Sequence, residues 1–176
     1  MIRIKGHKIP KQAITSAFSR RALQFKNTIV STLEGIGVES MIDVPIPPIP
    51  IIKAKAEATW YFDGHRMYSS YNLQGRFVDN LYVLSKLIEI EANLLATGQK
   101  TNDEFVSAFR EEDDVEDKRI EARKFLGIEP HVEDMAIINA KYKQMAKEFH
   151  PDMPTGDTEK FKQLNIAHKI LQRELV

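Results

Sequence analysis

The amino-acid sequence predicts an α+β N-terminal domain followed by a smaller all-α domain. In the first part, two long apolar series at helical spacing flank a run in which apolar and polar side chains alternate, the pattern of a strand. Six acids then occur in the seven residues 111–117, and beyond them apolar residues recur only at helical spacing. We therefore expect domains at 1–110 and 118–176, joined by a solvated acidic linker at 111–117.

Composition is that of a folded globular protein and excludes several classes of function. The 176 residues are 43% hydrophobic and 28% charged, and no apolar run approaches the length of a membrane span. The absence of cysteine excludes disulfides, thiolate zinc sites and thiol catalysis. Residues 1–100 carry 13 basic and 8 acidic residues, which is too small an excess to argue for nucleic acid. The first residues lack the apolar core of a secretory signal, so we expect a cytoplasmic protein without a membrane contact.

Residues 1–9 are expected to form one edge strand or a disordered tip, and a helix and a strand follow. Apolar residues from Ile14 to Ile36 recur at gaps of three and four, which predicts a helix over 11–34 that ends at Gly35 and Gly37. The β-prone segment 38–44 predicts a short strand. Four prolines in the six residues 45–50 exclude a helix there, and we expect a stiff connection packed on its own protein, although a proline-rich ligand for a groove stays open.

A β-hairpin and two further helices complete this domain. Residues 53–62 alternate with a period of two, and Asp63-Gly64 is a favoured hairpin turn, so 65–71 is expected to return with Trp60 opposite Met67. Apolar spacing predicts a long helix at 76–97. A short helix follows at 101–110, capped by Thr101 or Asn102.

The C-terminal part predicts two antiparallel helices that present a tripeptide at their tip. Apolar stripes run over Ile138–Phe149 and over Phe161–Leu171, separated by a short loop, so the two helices are expected to pack stripe against stripe. His150, Pro151 and Asp152 fall at the tip, where Pro151 is expected to make the flanking side chains diverge. Taken alone, the tripeptide is an ordinary helix terminator.

Residues 118–172 resemble a DnaJ-type J domain. Segment 140–152 (AKYKQMAKEFHPD) is similar to its second helix and signature loop, 161–171 (FKQLNIAHKIL) to its third helix, and 125–128 (FLGI) to the end of its first. The resemblance implies a cochaperone that binds a DnaK-type chaperone and stimulates its ATPase. It implies partner contacts by His150, Pro151 and Asp152 and by the basic residues Lys141, Lys143 and Lys147, whereas Tyr142, Met145, Phe161, Leu164 and Leu171 are expected to pack internally.

The sequence also departs from the family pattern. Gln144 stands where a second basic residue is usual, His168 replaces a tyrosine and Met153 replaces a lysine. The fourth helix is expected to be missing or reduced to 171–176. No Gly/Phe-rich segment or cysteine-rich zinc module occurs, so the resemblance is to J proteins defined by the J domain alone.

Residues 1–110 resemble the region that precedes the J domain in small phage- and prophage-borne J proteins, a region that suggests no activity. We expect it to supply client or location specificity. The alternative is a structural or assembly adaptor that uses the J fold only for docking. No metal-ligand spacing, phosphate loop or nucleophile motif occurs, so we expect neither an enzyme nor a cofactor.

Overall fold

The computed structural model describes residues 1–14, 18–39, 41–50, 54–111, 114–154 and 156–175. The chain divides into two compact units, Met1–Glu112 and Asp113–Val176. The elements in chain order are β1 (Ile2–Ile4), β2 (His7–Ile9), α1 (Phe18–Gly35), β3 (Ala56–Phe62), β4 (His65–Tyr71), α2 (Phe77–Ala96), α3 (Asn102–Phe109), α4 (Val115–Leu126), α5 (Met135–Phe149) and α6 (Thr158–Leu175). The α+β unit followed by an all-helical unit confirms the predicted fold class.

Helix α2 forms the centre of the first unit. It packs along α1 and against both β3 and β4, and its core side chains Leu81, Leu84 and Ile88 are fully buried. Buried Asn80 accepts a hydrogen bond from the Gln74 backbone N–H at 2.8 Å and donates to the Ala54 carbonyl at 2.9 Å, so the polar group is satisfied inside the core. The helix therefore organises the unit by apolar burial, with one polar anchor that fixes the chain on either side of the hairpin.

The β3–β4 hairpin has the predicted register. Phe62 pairs with His65 and Trp60 with Met67, around a turn in which both Asp63 and Gly64 have positive φ. Trp60 is fully buried, and its ring meets Phe109 of α3 edge-on at 5.2 Å. Helix α3 begins as predicted, because Thr101 caps it and forms a capping box with Glu104. These contacts place one face of the hairpin in the core.

Three predictions for the first unit require correction. The helix expected over 11–34 does not include 11–14, which are not helical; α1 is described from Phe18, and 15–17 lie outside the described residues. The carbonyl groups of Pro10 and Ile14 accept hydrogen bonds from the side chains of Tyr82 and Arg76, which hold this segment against α2. The strand expected at 38–44 is a single bridge between Asp43 and Thr59.

The third correction concerns the N-terminal residues. Residues 1–9 form a small hairpin, β1 and β2, instead of one edge strand or a disordered tip. Ile4 and Ile9 are buried, and the turn uses Lys5 and Gly6 with positive φ. Strands of three residues are too short to show a period of two, so the sequence pattern did not reveal the pairing.

The acidic segment 111–117 is only partly a linker. Glu111 is buried, and its carboxylate accepts a hydrogen bond from Arg66 at 2.6 Å, so it belongs to the first unit. Residues 115–117 open α4, where their acidic side chains lie at the positive end of the helix dipole. Residues 112 and 113 lie outside the described residues.

The second unit is a bundle of α4, α5 and α6. Gly127 ends α4 in the left-handed conformation, and the Asp134 side chain caps α5 by accepting from the Ala136 N–H. Helix α6 continues to Leu175, so within the described residues 171–175 extend α6 and do not form a separate fourth helix. The core lies between the three helices and consists of Ala122, Leu126, Met135, Ile138, Leu164, Ala167, Leu171 and Leu175.

Two arginines and a glutamate are buried beside this core. Arg123 donates from Nη2 to Glu174 Oε2 at 2.7 Å and from Nε to the Val132 carbonyl at 3.1 Å. Arg119 Nε lies 4.0 Å from the same Glu174 oxygen. The side chains of Arg119, Arg123 and Glu174 are 4%, 5% and 6% exposed, so this charge cluster joins α4 to the last turn of α6 in a region of low dielectric.

Within the described ranges, no helix is both long enough and apolar enough for a membrane crossing.

Candidate partner-binding site

The tripeptide His150-Pro151-Asp152 forms a tight turn at the tip of the α5–α6 hairpin. Helix α5 ends at Phe149, and His150 leaves the helical region with φ −57° and ψ 130°, as expected for a residue before proline. The Met153 N–H donates to the His150 carbonyl at 2.9 Å, which closes a β-turn with Pro151 in its second position. The loop is then tied to α5 again, because the Asp157 N–H donates to the Phe149 carbonyl at 3.2 Å.

The side chains of the tripeptide face solvent. The His150 side chain is 46% exposed and that of Asp152 is 86% exposed, and Pro151 is exposed between them. The His150 ring rests edge-on against Phe161 of α6 with the ring centroids 5.5 Å apart. The sequence predicts that the tripeptide is exposed at the tip of the two helices, and the structure places it there.

The predicted divergence of the two flanking side chains is wrong. The Asp152 backbone N–H donates to His150 Nδ1 at 3.3 Å, and Asp152 Oδ2 lies 3.5 Å from the same nitrogen. The turn folds the chain back within two residues, so the imidazole and the carboxylate stand side by side. The tripeptide thus presents one compact polar surface instead of two separate groups.

The predicted basic residues lie on α5 before the tripeptide, but they are not equivalent. Lys143 and Lys147 are exposed and lie one helical turn apart, whereas Lys141 is half-buried. Among the described residues, no carboxylate lies within ion-pair distance of Lys143 or Lys147, so both charges are available to a partner. Gln144 is exposed beside Lys143 and adds no charge there.

A polar contact on the other side of α5 fixes it against α6. His168 stacks on Tyr142 with centroids 4.1 Å apart, and its Nε2 lies 2.7 Å from Asn139 Oδ1. The Tyr142 hydroxyl donates to Asn165 Oδ1 at 2.8 Å. Burial lowers the pKa of His168, because the charged imidazolium loses solvation between the helices.

Four of the five residues assigned to packing do pack internally, whereas Phe161 is half-buried and rests against the His150 ring. Leu164 and Leu171 are buried, while Tyr142 and Met145 are partly buried against the same core. Asn139, Asn165 and His168 were not recognised as a group in the sequence, because their hydrogen bonds join two helices and follow no local pattern. Within the part of the chain that the structure describes, no three His, Cys, Asp or Glu side chains converge on a possible metal position.

The second unit is thus a three-helix bundle that displays an exposed polar loop beside a basic helix face. Comparison with known proteins identifies the family of this bundle. The DnaJ domain model matches residues 123–175, and the chain is 44% identical over 46 residues to Protein SIS1 of Saccharomyces cerevisiae. That alignment covers 26% of this chain and 13% of the yeast protein. No solved structure matches.

The matched residues 123–175 of the second unit are therefore a DnaJ-type J domain. The resemblance of residues 1–110 to a region of phage-borne J proteins stays a prediction.

Proposed function

We propose that this chain is a cochaperone that binds a DnaK-type chaperone and stimulates its ATPase through His150, Pro151 and Asp152. The observation that carries the proposal is the exposed, hydrogen-bonded turn in which the imidazole and the carboxylate stand side by side at the end of α5. A carboxylate displayed at this exposed turn suits bidentate binding by an arginine of the partner.

The chain itself does no chemistry in this proposal. Binding of the turn stabilises one conformation of the ATP-bound partner, and the accelerated hydrolysis takes place in the partner's own site. We place the protein in the cytoplasm, and we assign client or location specificity to residues 1–110, which form a unit with a core of its own.

Lys143 and Lys147 would mainly increase the rate of association with the partner. Exposed cations one turn apart attract an acidic surface over a distance of about 10 Å at moderate ionic strength. Substitution of both residues by glutamine is expected to lower the association rate and weaken its salt dependence. The same substitutions at Lys162 and Lys169, which are exposed on α6, serve as a matched control with equal loss of charge.

The proposal is tested by single-turnover ATP hydrolysis with a DnaK-type chaperone in excess of its nucleotide. The wild-type chain is expected to accelerate hydrolysis, and Asp152→Asn is expected to abolish most of the acceleration, because the variant keeps the size of the side chain and removes its charge. Met153→Ala is the control, since Met153 lies in the same loop and is 51% exposed.

Acceleration that survives in Asp152→Asn would contradict the assigned role of the tripeptide. No acceleration by the wild-type chain, combined with copurification of a specific assembly that survives His150→Gln, would instead favour the adaptor function.

A further inference from the structure

Gly156 is set apart from the other glycines of the chain by its surroundings. A Cβ atom placed on Gly156 would lie 2.0 Å from the His150 carbonyl oxygen, 2.8 Å from the His150 carbonyl carbon and 3.0 Å from the Met153 carbonyl oxygen. At each of the other seven glycines, a Cβ would meet nothing within 4 Å. The backbone at Gly156 therefore approaches the first residue of the exposed tripeptide more closely than any side-chain-bearing residue could.

The carbonyl groups that Gly156 approaches are held in place by hydrogen bonds. The His150 carbonyl is followed by the ring of Pro151 and already accepts the Met153 N–H at 2.9 Å. The Gly156 N–H donates to the Met153 carbonyl, also at 2.9 Å. Two successive turns thus share Met153, and Gly156 closes the second turn against the beginning of the first.

The C-terminal end of the loop is also held by hydrogen bonds, through Asp157. The Asp157 side chain accepts from the N–H groups of Glu159 and Lys160, both at 3.0 Å, and so caps α6. The Asp157 N–H donates to the last residue of α5, Phe149. Because α5 and α6 fix both ends of the loop, a group inserted at Gly156 cannot be accommodated by sliding the loop outward without breaking these bonds.

We infer that Gly156 is a positioning residue, which places His150 and Asp152 for the partner without touching it. The effect on ATPase stimulation rests on the proposed function, whereas the displacement of the turn follows from the close approach of Gly156 to His150. Ordinary contact begins at 3.4 Å, so a methyl group at Gly156 must push the His150 carbonyl away by about 1.4 Å. This displacement opens the turn around Pro151 and carries the imidazole with it.

The test compares Gly156→Ala with Gly75→Ala in the full chain. Gly75 is a suitable control because a Cβ there meets nothing and its backbone is outside the left-handed region. Nuclear magnetic resonance of the His150 ring and of the Asp152 and Met153 amides reports the turn directly. Gly156→Ala is expected to shift these signals, while Gly75→Ala leaves them unchanged.

The second measurement is stimulated ATP hydrolysis as a function of the concentration of each variant. A displaced turn on an intact α5 is expected to lower the maximal stimulation by roughly tenfold or more, as misplacement by about 1 Å does at other sites. The concentration for half-maximal effect should change much less, because Lys143 and Lys147 are unaltered. Partial unfolding has the opposite signature, a higher half-maximal concentration with an unchanged maximum.

Unchanged signals of the tripeptide in Gly156→Ala would overturn the inference, whatever the ATPase result. So would loss of the helical signal of the second unit, since Gly156 would then be needed for the whole hairpin and not for the placement of the turn. Failure of the wild-type chain to stimulate any partner would overturn the proposed function alone, because the resonance measurement still decides whether Gly156 places the tripeptide.

Discussion

Removal of the Glu174 carboxylate should destabilise the second unit far more than removal of an exposed one. Glu174 Oε2 lies 2.7 Å from Arg123 Nη2 and 4.0 Å from Arg119 Nε. In Glu174→Gln, both guanidinium groups stay buried and lose the carboxylate that they share. Arg119 still pairs with Glu116 at 2.5 Å, and Arg123 still donates to the Val132 carbonyl. Breaking a buried ion pair from one side costs about 3–5 kcal/mol, and the remaining partners place this case near 3 kcal/mol.

The assay is thermal unfolding of the full chain followed by two signals. The second unit, Asp113–Val176, is small, so a loss of about 3 kcal/mol should lower its unfolding midpoint by roughly 12–24 °C. Far-ultraviolet circular dichroism reports the helices of both units. Trp60 is the only tryptophan and is buried in the first unit, so its fluorescence is an internal control that should not shift.

Glu159→Gln on the same helix is the matched control. The Glu159 side chain is 76% exposed and forms a surface pair with Lys162, which contributes at most about 0.5 kcal/mol. Equal midpoints for Glu174→Gln and Glu159→Gln would refute the reasoning, since they would mean that the buried arginines do not depend on Glu174.

Three further results are expected. His168 has a pKa below its ordinary value of 6.5 because of burial, so the unfolded chain binds the proton more readily and the stability of the second unit should fall as the pH drops below 6.5; in His168→Phe, urea titrations should show a flatter pH dependence. Burial opposes ionisation of Glu91, but the hydrogen bonds from Lys100 and His7 outweigh it and lower the pKa below 4.5. The stabilisation is therefore present above pH 4.5 and lost as the pH falls through the folded-state pKa, and Glu91→Gln should remove this acid sensitivity from the Trp60 fluorescence transition. Thr101→Ala removes the cap of α3 and should cost the first unit about 1 kcal/mol in the same titration, with Thr97→Ser as a control that keeps its hydroxyl; no loss would mean that α3 is held by packing alone.

The sequence was most informative where structure is determined over a few consecutive residues. The β3–β4 hairpin could be predicted with its register, because alternation and the Asp63-Gly64 turn each specify the same pairing. The position of His150, Pro151 and Asp152 could also be predicted, since two helical stripes and a short loop leave only the tip of the hairpin for them. The start of α1 could not be predicted, because the side chains that hold residues 10–14 come from Arg76, just before α2, and from Tyr82 of α2, more than 60 positions away.

Contacts between distant residues account for the other differences. Arg119 and Arg123 lie one helical turn apart, a spacing that usually marks a solvated face, and the carboxylate that they share in the interior comes from Glu174 on α6, about 50 positions away. The side-by-side arrangement of His150 and Asp152 and the close approach of Gly156 likewise depend on how the loop closes in three dimensions. The sequence therefore predicted the position of the tripeptide in the fold, while the shape of the turn required the structure.

The hydrogen bond from the Asp152 amide to His150 determines the chemical polarity of the exposed imidazole. When Nδ1 accepts the Asp152 N–H, the proton of the neutral ring is on Nε2. The neutral imidazole thus offers a donor next to the acceptor of the Asp152 carboxylate, so a partner that binds here would place an oxygen at the first and a cation at the second.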